Sequence, residues 1–275
     1  MNSMARFAGL ALTCGWASVF LTACELDEIT VVDVEDVVVA EVYVDLASDP
    51  ANNRVSAFLH RTLGVRSGGG DALANAVVTI TRSDGFEFTL TLADVQDCIT
   101  GDPDGDAGAC FLADPVEASL LSPGDLFEVE VATGGRTILG STRVPGGFEL
   151  DGLPRVCRLE PNTLLSVRWT RSERAWAYFN ETSIRDLSVA LAPEGIDVED
   201  DPLYLLGVSV SDTDTMIVFP SEFGVFNRFD LEQDLSVRLQ RGLPEGVRAE
   251  VSITAADRNS VNWARGGNFN PSGQV

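Results

Sequence analysis

The chain has 275 residues, of which 45% are hydrophobic and 22% are charged, and this balance permits a well-packed core. Its net charge is −23, and all 19 of its basic residues are arginine. An acidic surface of this kind repels the phosphate backbone of nucleic acids, so we expect no nucleic-acid partner. At about 100–200 residues per domain, the length allows one large domain or two small ones.

Residues 1–23 have the pattern of an export signal. Arg6 and the free amine make a positive region, and the uncharged run Phe7–Ala23 that follows is too short and too interrupted by small polar residues for a transmembrane helix. The run ends in Leu21-Thr22-Ala23-Cys24, the pattern of a lipobox. We therefore expect cleavage before Cys24 and attachment of fatty acyl chains such as palmitate to its thiol. An ordinary signal peptide or an uncleaved anchor are the alternatives.

The segment 24–38 is interpreted as an acidic tether. Six acidic residues lie within Glu25–Asp36, interleaved with valine. Such a run is either a solvated linker or a surface-export signal of the kind found in some outer-membrane lipoproteins. We expect the mature protein to be lipid-anchored at the bacterial outer membrane, and both the periplasmic and the cell-surface face remain open.

Residues 39–150 show the two-residue period of β-strands and predict a first β-sandwich. Turn residues separate the alternating runs at Ser83-Asp84-Gly85 and at Thr133-Gly134-Gly135, which predicts two hairpins. Long helical periodicity is absent. Only two short segments are compatible with helices, Ala93–Gln96 and Asp114–Leu121.

A second block, residues 153–257, follows the boundary signal Gly152-Leu153-Pro154. Its alternating runs include Leu187–Leu191, and we expect Leu235–Leu239 to pair as a strand with Val247–Ile253. The block predicts a second sandwich. The expected fold class is all-β, with two tandem immunoglobulin-like or fibronectin-like sandwiches.

The C-terminal segment 258–275 is predicted to be a polar tail in extended coil, lying partly on the second sandwich. It contains Trp263 and Phe269, which favour burial. No final strand follows, so we expect the natural chain to continue beyond Val275.

Besides the lipidated Cys24, three cysteines remain in the expected mature chain. Cys98 and Cys110 have eleven residues between them, and a disulfide there would remove about 3 kcal/mol of unfolded-state entropy. Exported proteins keep such bonds, because their compartment is oxidising. We expect the Cys98–Cys110 pair, with Cys157 free and buried. Two free thiols, or a pairing with Cys157, are the alternatives.

The loop between those cysteines contains the only candidate metal ligands. Asp102, Asp104 and Asp106 have the spacing of the first three ligands of a calcium loop. The match is partial, because Ala113 occupies the position of the bidentate glutamate. Calcium is therefore the one cofactor considered, and a solvated acidic turn is the alternative.

No catalytic motif is present in the sequence. His60 is the only histidine, and Ser56 beside it lies in no recognisable nucleophile turn. We therefore expect a protein without catalytic activity. The alternative is a surface-polymer hydrolase that uses paired carboxylates, since 42 acidic residues bring some carboxylates together. A clustered acidic pair with a raised pKa would favour it.

Several segments together resemble known sandwich families. Ala74–Ile80 followed by Ser83-Asp84-Gly85 looks like a hairpin of carboxypeptidase-regulatory-like domains, and Pro123–Val129 resembles their next strand. Ser166–Thr170 with Ala177-Tyr178 is similar to a fibronectin type III strand pair. Together with the lipobox, this order resembles a family of two-sandwich outer-membrane lipoproteins of unknown function, often encoded beside TonB-dependent receptors.

The resemblance implies a non-enzymatic binding or accessory module at the outer membrane. The membrane, through the lipid on Cys24, and a transporter or another envelope protein are the partners it implies. The family supplies no functional residues to carry over. Its members usually continue past the point at which this chain ends.

Overall fold

A computed structural model describes residues 37–62, 73–99, 108–221 and 233–266. In these parts of the chain, twelve antiparallel strands and four short α-helices are present. The all-β prediction is confirmed. The signal segment, and the acidic tether up to residue 36, lie outside the described residues.

The first seven strands form one sheet around a single hydrophobic core. They are β1 (Val38–Asp45), β2 (Arg54–Arg61), β3 (Val77–Arg82), β4 (Glu87–Ala93), β5 (Ala109–Leu112), β6 (Leu126–Thr133) and β7 (Arg136–Arg143). Their spatial order is β1-β2-β5-β4-β3-β6-β7. Because β4 pairs with both β3 and β5, the strands make one continuous, nearly closed sheet. The first hydrophobic core lies inside this nearly closed sheet.

Alternation along each strand decides which side chains enter this core. Val55, Ala57 and Leu59 of β2 face inward and are buried, and the even-numbered residues Val38–Val44 of β1 pack against the same cluster. A short helix, α1 (Pro115–Ala118), begins where the Asp114 side chain accepts a hydrogen bond from the Val116 amide at 2.8 Å. It lies within one of the two segments predicted as possible helices.

A second hydrophobic cluster is built from the strands that follow. These are β8 (Leu165–Arg168), β9 (Ala177–Arg185), β10 (Leu203–Val208), β11 (Met216–Phe219) and β12 (Arg248–Ala256). β9 is the central strand of a three-stranded sheet, between β10 and β12, while β8 and β11 form a separate pair. Phe148 packs against this second cluster although it precedes the predicted boundary.

Two segments predicted as strands are helices instead: α2 (Leu187–Leu191) and α3 (Gln233–Leu239). The reason lies in the spacing, because residues i and i+4 share a face in both a helix and a strand. The middle residue distinguishes the two: Leu187 and Leu191 are fully buried, whereas Val189 is 76% exposed. Leu235, Val237 and Leu239 of α3 repeat this pattern. The prediction that Leu235–Leu239 pairs with Val247–Ile253 is therefore wrong, and β12 pairs with β9.

The extended coil predicted after residue 257 is also wrong for its described part. A helix, α4 (Arg258–Gly266), begins after Asp257, whose side chain accepts a hydrogen bond from the Ser260 amide at 2.9 Å. Val261 and Ala264 of this helix pack on Ala177, Val208 and Ala256 of the three-stranded sheet. Phe269 lies outside the described residues, and Trp263 is half exposed.

Tyr178 links the second hydrophobic cluster to the segment of chain that follows β7. Its ring packs edge-on against Trp169 and Phe148, with centroid distances of 5.3 and 5.9 Å. Its buried hydroxyl accepts a hydrogen bond from the Ser172 amide at 2.8 Å. Ser172 in turn donates its hydroxyl to the Gly146 carbonyl at 2.6 Å. The Tyr178 hydroxyl therefore provides the hydrogen-bond acceptor for a buried amide group.

We predict that Tyr178→Phe lowers the free energy of unfolding by about 1–3 kcal/mol, since the buried Ser172 amide loses its acceptor. Urea denaturation followed by tryptophan fluorescence measures the change. Tyr204→Phe is the matched control, because Tyr204 is 72% exposed and should change stability by less than about 0.5 kcal/mol. Equal effects of the two substitutions would contradict the role given to the Tyr178 hydroxyl.

Candidate functional site

The chemically richest surface among the described residues is the outward face of β1 and β2, here called the outer strand face. The register pairs Glu41 with Phe58, Tyr43 with Ser56, and Asp45 with Arg54. Because directly opposed residues lie on the same side of a sheet, these side chains share one face. The outer strand face consists of Glu41, Tyr43, Asp45, Arg54, Ser56, Phe58 and His60.

A chain of hydrogen bonds runs through the carboxylate of Glu41. Its Oε1 lies 3.3 Å from Nε2 of His60, and its Oε2 accepts a hydrogen bond from the Tyr43 hydroxyl at 2.8 Å. The Phe58 ring stacks against the His60 ring with centroids 5.5 Å apart. The side chains of His60 and Glu41 are 27% and 30% exposed, so the pair is accessible but partly shielded.

These contacts move the pKa values of all three groups. The hydrogen bond from His60 holds the pKa of Glu41 below its ordinary value, against the opposing effect of burial. The same contact raises the pKa of His60, although burial opposes it. Burial and the bond to Glu41 raise the pKa of Tyr43, so that its hydroxyl stays protonated and donates. The arrangement favours a protonated histidine beside an ionised glutamate.

At the end of β1, a carboxylate from the second sheet approaches the outer strand face. Removal of water by surrounding protein raises the pKa of Asp45, even though its side chain remains accessible to solvent. The negative charge of Glu181 on β9 raises this pKa further, whereas Arg54 lowers it. Asp45 and Glu181, carboxylates from two different sheets, are therefore close enough for the charge of Glu181 to act on Asp45.

A disulfide joins Cys98 and Cys110 next to this face, as predicted. Cys110 lies opposite Phe58 in the sheet and is fully buried. Gly108 approaches the chain closely here, because a Cβ at that position would lie 2.2 Å from the Leu59 carbonyl oxygen. The Arg54 guanidinium also donates to the Asp97 carbonyl oxygen, which ties the turn before Cys98 to β2.

Cys157 is free, but the prediction that it is buried is wrong. It lies in the stretch without regular structure that precedes β8. Leu153 and Leu159 are the apolar residues of this stretch that pack against the second cluster. Cys157 lies between those two contacts and faces solvent.

The other predicted site residues cannot be placed in the fold. Cys24 and the calcium candidates Asp102, Asp104 and Asp106 lie outside the described residues. Within the described ranges, no group of three or more His, Cys, Asp or Glu side chains is arranged to hold a metal ion.

The register also explains why Ser56 and His60 do not form a nucleophile–base pair. They lie four residues apart on the same face of β2, which separates their Cα atoms by about 13 Å. The histidine instead meets Glu41, a contact that was not predicted. The alternation of β1 and β2 puts Glu41 and His60 on the outward side of their strands. Predicting their contact also required the register of the two strands across the turn between them.

Comparison of the chain with models of protein families, with curated proteins and with solved structures found no match in any of the three. The resemblance to outer-membrane lipoproteins therefore stays a prediction from the sequence.

A search for membrane-spanning helices covered the described part of the chain. No helix there has the length and apolar character needed to cross a bilayer.

We predict that replacing both Cys98 and Cys110 with alanine lowers the free energy of unfolding by about 2–4 kcal/mol, because the unfolded chain gains freedom. Chemical denaturation of residues 25–275 measures the loss. Cys157→Ala is the control, since an exposed thiol should contribute less than about 0.5 kcal/mol. A maleimide reagent should modify Cys157 alone in the folded, unreduced protein. Modification of Cys98 or Cys110 under those conditions would contradict the pairing.

Proposed function

We propose that the mature chain is a lipid-anchored envelope protein of the bacterial outer membrane that acts as a non-enzymatic binding or accessory module. The observation that carries the proposal is Leu21-Thr22-Ala23-Cys24 at the end of an uncharged apolar run. Acyl chains on Cys24 would hold the protein on the bilayer, since each buried CH₂ group contributes about 0.8 kcal/mol.

Two features of the fold support this assignment. The Cys98–Cys110 disulfide suits an exported protein, because disulfides persist in oxidising compartments. Asp36–Val275 forms one compact unit, so eleven residues separate Cys24 from its start. That spacing suits a folded module carried on a short tether.

The outer strand face supports a binding role. It combines two aromatic rings with an arginine and two carboxylates on one accessible surface, and aromatic residues and arginine are enriched where proteins bind each other. A sheet also holds these side chains more rigidly than a loop would. The partner class to test first is a transporter or another protein of the same membrane, as the family resemblance implies.

We predict that Cys24→Ala releases the protein from the membrane or leaves its precursor unprocessed. Membrane fractionation with a high-salt wash, followed by mass determination, distinguishes the variant from wild type. Cys157→Ala is the matched control and should remain membrane-bound. A Cys24→Ala protein of mature size that stays on membranes through the salt wash would refute the anchor.

A second candidate function is hydrolysis of a surface polymer, and Asp45 is the observation that favours it. A carboxyl group whose pKa is raised, beside a second carboxylate, is the arrangement used in glycoside hydrolysis. Asp45 would be the general acid and Glu181 the nucleophile or base. The binding module is preferred because Arg54, which lies opposite Asp45, lowers the pKa of that carboxyl and so opposes its use as a general acid.

We predict that residues 25–275 show no turnover of glycosidic, ester or peptide substrates. Should turnover appear, Asp45→Asn and Glu181→Gln decide its origin, with Glu130→Gln on the exposed side of β6 as control. Activity lost in the first two variants and kept in the third would establish the hydrolase and reject the binding module. Release of reducing sugar, carboxylate or amine is the measurement.

A further inference from the structure

His60 faces the carboxylate of Glu41 across the strand pair. Glu41 Oε1 lies 3.3 Å from its Nε2, which makes a salt bridge when the ring is charged. A neutral imidazole can donate one N–H to the same oxygen, but only the imidazolium adds the attraction between opposite charges. The contact is therefore strongest when the ring is protonated.

Among the residues that the structure describes, the other groups around the ring do not replace this interaction. From β1, Tyr43 reaches only the far oxygen of Glu41. Asp45 and Arg54 lie opposite each other near the far end of the strand pair, where Glu181 of β9 approaches Asp45. Asp97, in the turn beside β2, offers its backbone carbonyl to Arg54. From β5, the outward residues are Cys110 and Leu112. Cys110 is held in the disulfide and does not titrate, and leucine has no titratable group.

The two partners belong to different strands, and one of those strands is at the edge of the sheet. β1 is the terminal strand in the sheet order and pairs with β2. Its first residue, Val38, is also the last residue of the segment 24–38 that leads from Cys24. Any force transmitted from a membrane anchor therefore reaches the fold at β1.

We propose that His60 and Glu41 form a pH-responsive clasp that holds the edge strand β1 on β2, closed when His60 is protonated and loosened when it is neutral. The clasp rests on contacts within the fold. Its link to a membrane tether rests on the proposed lipid anchor.

The direction of the pH dependence follows from the two shifts. The folded pKa of His60 is raised above 6.5, so its contribution is complete below that pH and is lost as pH rises through the folded value. The folded pKa of Glu41 is lowered below 4.5, so its contribution is complete above that pH and is lost as pH falls through the folded value. The clasp is strongest between pH 4.5 and 6.5.

The first test is a titration of His60 in the full-length, untagged chain in detergent. Because His60 is the only histidine, ¹³C-histidine labelling gives a single, unambiguous NMR signal. We expect a midpoint above 6.5 in wild type, a lower midpoint in Glu41→Gln, and an unchanged one in the control Glu130→Gln. A wild-type midpoint at or below 6.5, or no effect of Glu41→Gln, would overturn the proposal.

The second test asks whether the clasp holds the strand. Hydrogen exchange at pH 5.5 and pH 8, corrected for intrinsic rates, is compared between peptides from β1 and β6. In wild type, β1 should lose protection about two- to fivefold relative to β6 at the higher pH, as for loss of an exposed ion pair. In His60→Gln and Glu41→Gln, that difference should vanish. The same pH dependence in wild type and in either folded variant would overturn the clasp, whatever the NMR midpoint. A wild-type chain that is absent from the membrane fraction but shows the expected pH dependence would refute the proposed anchor and leave the clasp standing.

Discussion

The register between β1 and β2 is the constraint on which the first hydrophobic core and the outer strand face both depend. Pairing Val42 with Ala57 directs one set of side chains into the core and the other set outward. A shift of one residue would reverse both sets, exposing the valines and burying Glu41 and Asp45. The burial of β2 residues such as Leu59 therefore stabilises the same alignment that brings Glu41 to His60.

The sequence was sufficient for the two hairpins of the first core, β3–β4 and β6–β7, because their alternation is unbroken and their turns contain glycine. The prediction from sequence failed where a short apolar run is compatible with both a strand and a helix. Leu187, Val189 and Leu191 share a face in a strand, but a helix buries only the outer two. Nothing local decides between these, and burial of Leu187 and Leu191 in the second core selects the helix. The disulfide was predictable for the opposite reason, since Cys98 and Cys110 are close in the chain.

The site was harder to predict, since it depends on contacts between distant residues. Glu41 and His60 meet across a turn that has no glycine and that is closed by a 3-10 turn capped by Asp49. Asp45 and Glu181 are 136 positions apart in the sequence, and only the tertiary fold brings them near each other. The burial of Cys157 was wrongly predicted from the general tendency of cysteine to be buried. In this stretch of chain, Leu153 and Leu159 make the contacts with the core instead.

The charges on β1 also bear on how copies of the protein avoid one another. An edge strand presents unpaired backbone groups to any second chain, and charged side chains are a common protection against such pairing. Glu41 and Asp45 place two acids on this strand, and the net charge of −23 adds general repulsion. On the proposed membrane anchor, diffusion in two dimensions would raise the frequency of such encounters. Protonation of His60 neutralises part of this local charge while fastening β1 to β2. The pH that most weakens repulsion at the edge is then also the pH at which the edge is held most firmly.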